Sequence, residues 1–549
     1  MRRHILLCCF LGLALTGIAA GPDKKPAGSK QMIYLEHAGS LLFDEGQSKE
    51  YQVLVDDVRF RHDSAWMYCD TAHYYQQTNS LYAFGNVRIE QGDTLFLYGN
   101  TLYYDGNKMM AQMRGKVRMM DPTATLYTDH LDYDRRANIG YYFGGGRIVD
   151  STNVLSSDFG QYNPGTNMAF FKKKVTLTHP QFVMKTDTLN YNTQTHVASI
   201  VSHTVITSDN SVVHAFRGWY NTATDNSLLL DHSYVCSSPN YMSADSLFYK
   251  QLQGIGEGFR DVVIVDSAKA MTLTADYGYY NKEKEQALLT RQALLREYSG
   301  RDTLFLHADT LMTQKDSVFD TFRAFHHVRC FRSDLQGVCD SIFYSSRDSV
   351  MDMNGAPIIW ADEQMVRGNH MKLYVKNSAP DYLHVERNAI TIQQEMVDTS
   401  YFNQSSGDDL KAYFENSQVR RIVVEGDCQS IYLPHDDDEN IIGMNRLEQG
   451  NLTITMNGEG KMESILVSPS PKGKFYPLKL VSEKDKRLPL FSWPADIRPT
   501  GPEDVFRRED KQDDTFVDQK LPGQNGSTRS NRNRDRRAKG SLKTLMNND

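Results

Sequence analysis

The residues of this chain that could carry acid–base chemistry are Asp side chains that recur in one pattern. In MKTDTLNYN, Asp187 is followed by Leu189 and Tyr191. A general acid–base site needs one pair of groups in one pocket, with pKa values driven apart. Because near-equivalent copies recur along the chain, we interpret these residues as turn and strand-entry residues that hydrogen-bond the backbone. The other copies lie around Asp70, Asn100, Asp129, Asp158, Phe216, Asp245, Asp276, Asp309 and Asp340, with weaker ones at Asn369 and Asp409.

The remaining reactive side chains do not combine into a recognisable site. The 16 His are scattered, and the adjacent pair His326 and His327 is expected to point to opposite faces of a strand. Cys330 and Cys339 could pair across neighbouring strands, but a buried, unpaired thiol is the favoured interpretation. The acidic run Asp436–Glu439 lacks the spacing and the Gly of an EF-hand, so we interpret it as a loop tip. With no GxSxG and no phosphate-binding Gly loop either, we predict no enzyme, no metal and no cofactor.

The elements that position these residues are strands. From Asn100 to Asp245 the motif returns every 29 residues, and a second motif follows half a period later, as in GNVRI (Gly85–Ile89) and GKVRM (Gly115–Met119). Alternating apolar, β-branched and aromatic residues are typical of half-buried strands, and Gly, Asn, Asp and Ser clusters between them are typical of turns. Each repeat therefore contains at least two strands, and the fold is predicted to be all-β, an elongated repeat of antiparallel strands.

Composition narrows the function classes. The chain has 549 residues and a formal net charge of −7, and no stripe of Lys and Arg follows the repeats, so we expect no nucleic acid partner. The first residues combine Arg2 and Arg3 with an apolar core and small residues before position 21, which predicts an export signal peptide. No later stretch approaches the ~20 apolar residues of a transmembrane helix.

These features divide the chain into five segments. We predict a signal peptide at 1–20, a flexible lead at 21–31, β-repeats at 32–392, a less regular continuation at 393–500, and a disordered basic tail at 501–549. The tail is either simply solvated or in contact with anionic lipid headgroups or phosphates.

Stacked repeats would form a continuous apolar inner surface, because Leu189 and Tyr191 share one face of a strand, as do Val175 and Leu177. Two facing sheets could close on each other as an ordinary core, or gape and leave a groove for acyl chains. The sequence alone leaves both open. The candidate groove residues are Val87, Ile89, Leu102, Tyr104, Val117, Met119, Leu131, Tyr133, Val175, Leu177, Leu189 and Tyr191.

The paired motifs resemble those of the OstA-like family of periplasmic lipopolysaccharide-transport proteins. The resemblance rests on YAFGNVRIEQGDTLFLYGNTLYYD (Tyr82–Asp105), on MKTDTLNYN, and on GKMESILVSPSPKGKFYPL followed by FSWPADIRP, the last two being similar to the end of long OstA-like proteins of Bacteroidetes-type bacteria. It implies a V-shaped antiparallel β-jelly roll whose apolar groove shields lipid A chains. It also implies pairing of exposed edge strands, with other transport components or head to tail between copies. The sequence differs from the family in having many more repeats than the short bridge protein, and we expect no counterpart of the translocon's C-terminal barrel in the tail, which has no long alternating segments.

We therefore predict a periplasmic protein, either free or associated with the outer membrane, that binds the acyl part of lipopolysaccharide and passes it towards the outer membrane. The alternative is an exported β-solenoid that binds or cleaves polysaccharide, since coils of ~30 residues also suit parallel β-helices. An enzyme of that kind should concentrate acidic or basic residues on neighbouring coils, and the sequence shows no such cluster. A structural adhesin is a third possibility.

Overall fold

The computed structural model describes residues 32–508, except 43–49, 301, 316–317, 377–378, 416–417, 437, 439, 449 and 459–461. The predicted signal peptide and lead, and the part of the predicted tail after residue 508, lie outside the described residues.

The described residues form antiparallel strands, joined in one hydrogen-bonded network, and two short 3-10 helices. This confirms the predicted all-β class. The first strands are β1 (Tyr34–His37), β2 (Ser40–Leu42), β3 (Gln52–His62), β4 (Ala65–Tyr75), β5 (Ser80–Gln91), β6 (Leu95–Asp105), β7 (Met110–Met120), β8 (Thr125–Asp134), β9 (Ile139–Val149), β10 (Val154–Asn163), β11 (Met168–His179) and β12 (Phe182–Asn192). Shorter strands follow: β13 (Val197–Ile200), β14 (Thr204–Ser208), β15 (Val212–Ala215), β16 (Arg217–Asn221), β17 (Asn226–Leu230), β18 (Tyr234–Ser237), β19 (Asn240–Ser243) and β20 (Ser246–Lys250).

Long strands then return before the pattern shortens again. They are β21 (Ile255–Asp266), β22 (Met271–Asn281), β23 (Gln286–Glu297), β24 (Leu304–Lys315), β25 (Asp320–Arg332) and β26 (Leu335–Ser345). The last strands are β27 (Val350–Asn354), β28 (Ile358–Ala361), β29 (Gln364–Arg367), β30 (His370–Lys376), β31 (Ala379–Gln394), β32 (Phe402–Glu415), β33 (Gln418–Glu425), β34 (Gln429–Tyr432), β35 (Met444–Glu448), β36 (Asn451–Met456), β37 (Met462–Ser468) and β38 (Lys472–Tyr476). The 3-10 helices are Leu478–Leu480 and Pro502–Phe506.

Each long strand is bent in its middle. In β5 the register with both neighbours shifts by one residue between Phe84 and Val87, where Gly85 and Asn86 both have positive φ, +74° and +42°. Two such residues in succession insert an extra residue and turn the strand sharply, as a β-bulge does. Equivalent register shifts recur from β3 to β12 and from β21 to β26, so they line up across the strands.

This line of bends, which we call the ridge, divides the sheet into two arms. Arm 1 contains the strand halves that carry the Leu–Tyr motif, such as Thr101–Asp105, and arm 2 contains those that carry the Val–Ile motif, such as Val87–Gln91. Where strands are short, as from β13 to β20, each strand belongs to one arm. The inner faces of the two arms supply a single hydrophobic core, which is the V-shaped cross-section that the resemblance implied.

The last described residues return over the outer face of arm 2. Phe491 and Trp493 pack on Phe402 with ring centroids 5.2 Å apart in both cases, in a cluster that includes the buried Trp360. Further along, Arg329 donates to the carbonyl oxygen of Ile497 at 2.9 Å. We call residues 478–507 the strap.

Candidate lipid-binding interior

The repeated Asp and Asn residues lie at the ridge, in the middle of strands. Asp70 accepts a hydrogen bond from the Nδ2 of Asn86 at 2.8 Å, and a Cβ on Gly85 would lie only 2.4 Å from the Asp70 carboxylate. The interpretation as strand-entry residues was therefore wrong. These side chains bond the bend of the neighbouring strand instead, which explains their recurrence without any catalytic role.

The adjacent histidines are also ridge residues. His326 and His327 have φ values of +60° and +54°, so the alternation of a regular strand does not apply to them. Their Nδ1 atoms lie 3.2 Å from Asp340 and 2.8 Å from Asp309, on strands to either side, and both rings are exposed. The prediction that they point to opposite faces of one strand was wrong for this reason.

The twelve candidate groove residues all face the space between the arms. They belong to one core cluster, and none is more than 2% exposed. Val87 and Ile89 represent arm 2, and Leu102 and Tyr104 represent arm 1. The structure thus brings the candidates together on the inner faces, packed against one another. Contact between these side chains and lipid stays a prediction.

Tyr side chains close the mouth of the V, opposite the ridge. Tyr133, at the end of arm 1, donates to the Oε1 of Gln91, at the end of arm 2, over 3.2 Å. Tyr104 shares a 2.6 Å hydrogen bond with the Nδ1 of His62 in the same way. We call this series the tyrosine clasp. Its other members are Tyr74 bonded to Ile33, Tyr162 to Asp121, Tyr191 to Asp150, Tyr249 to Ser211 and Tyr280 to Asn240.

Burial and these bonds set the electrostatics of the clasp. Burial raises the pKa of Tyr191, and the hydrogen bond to Asp150 raises it further, so the phenol stays a donor. Burial also acts to raise the pKa of Asp150, but hydrogen bonds from Tyr191, Thr152 and Asn153 outweigh it and hold that pKa below its ordinary value. The Asp150 carboxylate is therefore a charged acceptor inside the mouth, and such hydrogen bonds are stronger than neutral ones.

The interior is less tightly closed towards the C-terminal end. The last side-chain contact across the mouth is the 3.0 Å ion pair of Lys269 with Asp320; beyond it, no side-chain hydrogen bond or ion pair between described residues joins the two arms. Apolar side chains of the core become only partly buried there. They include Phe322, Met351, Leu373, Phe414, Val419, Met456, Met462, Ile465 and Val467.

A narrow cleft with an accessible volume of about 40 Å³ opens between the arms at this end. Its arm 1 side is apolar, with Ile454, Met462 and Ile465. Its arm 2 side is polar. That side is lined by Gln364, Thr391, Gln393, Asn403, Ser405 and Ser430. This volume holds only a few water-sized groups and is well below the ~300–1,000 Å³ of ligand pockets, so the arms must separate further to admit an acyl chain. Sequence reasoning missed this cleft, since none of its residues is among the twelve candidate groove residues.

The N-terminal end of the interior is filled by a buried side chain, and both ends of the stack present a free strand edge. At the N-terminal end Ile33 is buried in the core, with its N–H bonded to Asn79 and its carbonyl to Tyr74. At both ends the outermost strands have a free edge among the described residues: β1 and β2 before β3, and β37 and β38 after β36 and β35. Exposed apolar side chains on these edges include Leu41, at 58%, and Leu466, at 63%.

Other classes of site were considered among the described residues. No group of three His, Cys, Asp or Glu side chains is placed to hold a metal ion. The five Cys of this part of the chain are free thiols, Cys330 and Cys339 included. No helix here has the length and apolar character needed to cross a membrane.

Comparison with known proteins gives two findings. Residues 30–187 match the family model described as OstA-like protein. Among solved structures, the chain is similar to LptH, described as the LptA homologous periplasmic component of the conserved lipopolysaccharide transport device from Pseudomonas aeruginosa. The likeness has 16% identity and a TM-score of 0.13, and covers 24% of this chain and 76% of that one. No curated protein sequence matches the chain.

Proposed function

We propose that this chain, an OstA-like protein over residues 30–187, binds the acyl part of lipopolysaccharide between its two arms and carries it across the periplasm towards the outer membrane. The observation that carries the proposal is the apolar interior, which is continuous along the arms and opens as a cleft near β36 and β37. We infer the ligand, lipopolysaccharide, from the family that the repeated motifs resemble. We infer the periplasmic location from the predicted signal peptide.

The mechanism is passive. Each methylene moved from water into the interior is stabilised by about 0.8 kcal/mol, so an acyl chain gains several kcal/mol by burial. Entry takes place at the cleft, because the arms there are not joined by the clasp. Ile454, Met462 and Ile465 contact the chain, while the amides and hydroxyls of arm 2 bond the ester, amide or hydroxyl groups that acylated sugars carry.

The candidate residues further along the interior become available only when the clasp opens. Lipid that reaches Ile89 or Met119 must separate the arms there and break bonds such as that of Tyr133 with Gln91. Where lipid already holds the arms of one repeat apart, less free energy is needed to open the next repeat. The acyl chains would thus advance from the cleft by successive opening of repeats.

Partners are proposed at the free edges. The outermost strands expose backbone donors and acceptors together with Leu41 and Leu466, which suits the addition of a further strand. We propose that these edges pair with other components of lipopolysaccharide transport or, head to tail, with a second copy. Either arrangement would extend the interior into a longer conduit.

Photo-crosslinking tests the site. A benzoylphenylalanine at Ile465, which faces the cleft, should capture added lipid A. The matched control is Leu466, the next residue of β37, which is 63% exposed on the opposite face. Labels at Ile89 and Met119 should capture lipid only after longer incubation. Equal capture from Ile465 and Leu466, or capture from neither, would count against the proposal.

A further inference from the structure

The outer face of arm 2 carries a regular row of alternating Arg and Tyr side chains. Seven consecutive strands, β3 to β9, each contribute one residue, and each residue pairs directly with the next in the sheet register. We call this row the arginine–tyrosine ladder. Its members are Arg59, Tyr68, Arg88, Tyr98, Arg118, Tyr127 and Arg147.

The ladder has a repeated geometry. Arg88 lies over the ring of Tyr68 at 4.2 Å from the centroid, and Arg118 lies over Tyr98 at 4.6 Å. Arg147 lies over Tyr127 at 4.9 Å. Each guanidinium thus leans on the Tyr of the preceding strand. A stacked guanidinium keeps its N–H edges available for a carboxylate, and its orientation is fixed in advance.

The Arg residues differ in their acidic neighbours. Arg59 pairs with Asp57 at 2.5 Å and Arg88 with Glu90 at 3.4 Å. In the described part of the chain, no carboxylate lies within ion-pair distance of Arg118 or Arg147. These two cations lie two strands apart, which is ~9.6 Å along the stack. On a chain whose net charge is −7 they form an uncompensated cationic pair.

Aromatic surface widens the ladder along β4, on the side away from the ridge. Trp66 is 37% exposed and stacks on Tyr68, with ring centroids 6.5 Å apart. Between the ladder and the ridge lies an open depression whose lining includes Tyr68, Arg88, Tyr98 and Lys116 and also the carboxylates of Asp57 and Asp70, so its most cationic part is the end away from Asp57, towards Arg118 and Arg147. The face therefore offers flat apolar rings, fixed guanidinium groups and a shallow channel beside them.

We propose that the arginine–tyrosine ladder binds a carboxylated saccharide chain that lies across the strands. Carboxylates accept bidentate hydrogen bonds from Arg118 and Arg147, and the apolar faces of the sugar rings pack on the Tyr rings between them. Charge complementarity selects an anionic chain over a neutral one. This surface is on the outside of arm 2, so it goes beyond acyl binding in the interior and does not require it.

Titration calorimetry of the full chain at low salt tests the ladder, with hexagalacturonate as the anionic probe and maltohexaose as the neutral one. The double variant Arg118→Gln, Arg147→Gln should weaken hexagalacturonate binding about tenfold or more. The control Arg421→Gln removes an Arg that lies over Tyr413 at 4.4 Å outside the ladder, and should leave the affinity unchanged. Binding should also weaken as salt is added.

Three outcomes would overturn the proposal. The first is that maltohexaose binds as tightly as hexagalacturonate. The second is that the double variant binds hexagalacturonate with unchanged affinity. The third is that the double variant loses only its binding to phosphatidylglycerol vesicles, which would indicate a membrane surface. Circular dichroism of both variants shows that the fold is kept. Lipid A capture from Ile465 in the double variant should match that of the unsubstituted chain. If lipid A capture fails in the double variant and in the unsubstituted chain while the unsubstituted chain still binds hexagalacturonate, acyl binding in the interior is refuted and saccharide binding at the ladder is not.

Discussion

Substitution of Tyr191 by Phe should open one link of the tyrosine clasp. Its hydroxyl donates to the Oδ2 of Asp150 at 2.5 Å and accepts from the Nδ2 of Asn153 at 2.9 Å, and the ring is fully buried. Loss of the hydroxyl removes a bond to a charged acceptor and leaves a buried carboxylate short of a donor. Hydrogen bonds to charged groups are worth ~1.5–3 kcal/mol, and we expect a local cost of that size.

The cost should depend on pH. Asp150 has a lowered pKa in the folded chain, so its stabilisation is present above the ordinary Asp pKa and is lost as pH falls through the folded value. Without the bond from Tyr191, one of the interactions that lower the pKa of Asp150 is lost, so that pKa rises towards its ordinary value. The difference between the Tyr191→Phe variant and the unsubstituted chain should therefore be largest near pH 7 and shrink below about pH 4.

Hydrogen exchange is the suitable assay, because a stack of repeats can open locally without unfolding as a whole. The amides of β10 and β12, which flank this link, should exchange ~10–100-fold faster in the Tyr191→Phe variant at pH 7. The control is Tyr82→Phe, since Tyr82 is 42% exposed on the outer face of arm 1. Equal rates in the two variants would refute the view that the clasp holds the arms together.

Three further substitutions test other parts of the fold. Gly115→Ala should destabilise by ~2–3 kcal/mol in denaturant unfolding, since φ is +76° and the new Cβ would lie 2.7 Å from a ridge side chain; Gly92→Ala, at φ +61° in open space, should cost only the backbone part. Partial burial acts to lower the pKa of His370, but hydrogen bonds to Glu386 and a second carboxylate outweigh it and raise that pKa. His370→Gln should therefore reduce the free energy of unfolding by about 1 kcal/mol at pH 5.5 and by less at pH 8.5, as measured by thermal melting at both pH values. Equal losses at the two pH values would show that protonated His370 and Glu386 do not stabilise the fold. Trp360→Ala should cost ~3–5 kcal/mol and release the strap to protease, because the indole is fully buried beneath it; an unchanged cleavage pattern would contradict this.

Local patterns predicted the strands and their inner faces. Leu189, Tyr191, Val175 and Leu177 were assigned to one surface from alternation alone, and the structure buries all four in the core. Two strands per 29-residue repeat were also predicted, and β5 with β6 shows that arrangement. These features depend on residues close in sequence, where alternation and turn chemistry are reliable guides.

The bends were not predicted, because only some of them carry the local signal of a Gly inside a strand pattern, as at Gly85 and Gly115, and others carry none. Lys173 and Lys174 have φ values of +69° and +53°, a conformation that side chains with a Cβ rarely adopt. The neighbouring strand supports it: both Lys ammonium groups lie within 3.7 Å of Asp158 at the ridge. Several ridge Asp residues, among them Asp70 and Asp158, are thus explained by a partner on a neighbouring strand, which is invisible in a motif considered alone.

The sequence shows the recurring Tyr residues of the clasp, although it does not show the hydrogen bonds that they make. A Tyr stands four positions after the ridge residue in eight successive repeats, from Tyr74 to Tyr280. At the same position the later repeats have Thr313, Tyr344, Leu373 and Tyr413, none of which bonds the opposite arm among the described residues. Tyr344 and Tyr413 keep the Tyr, and Tyr220 bonds Asp225 in its own arm, so a Tyr at this position does not by itself close the mouth. Closure also needs a partner at the end of the opposite arm, as Asp150 is for Tyr191 and His62 is for Tyr104, and a motif considered alone does not show that partner.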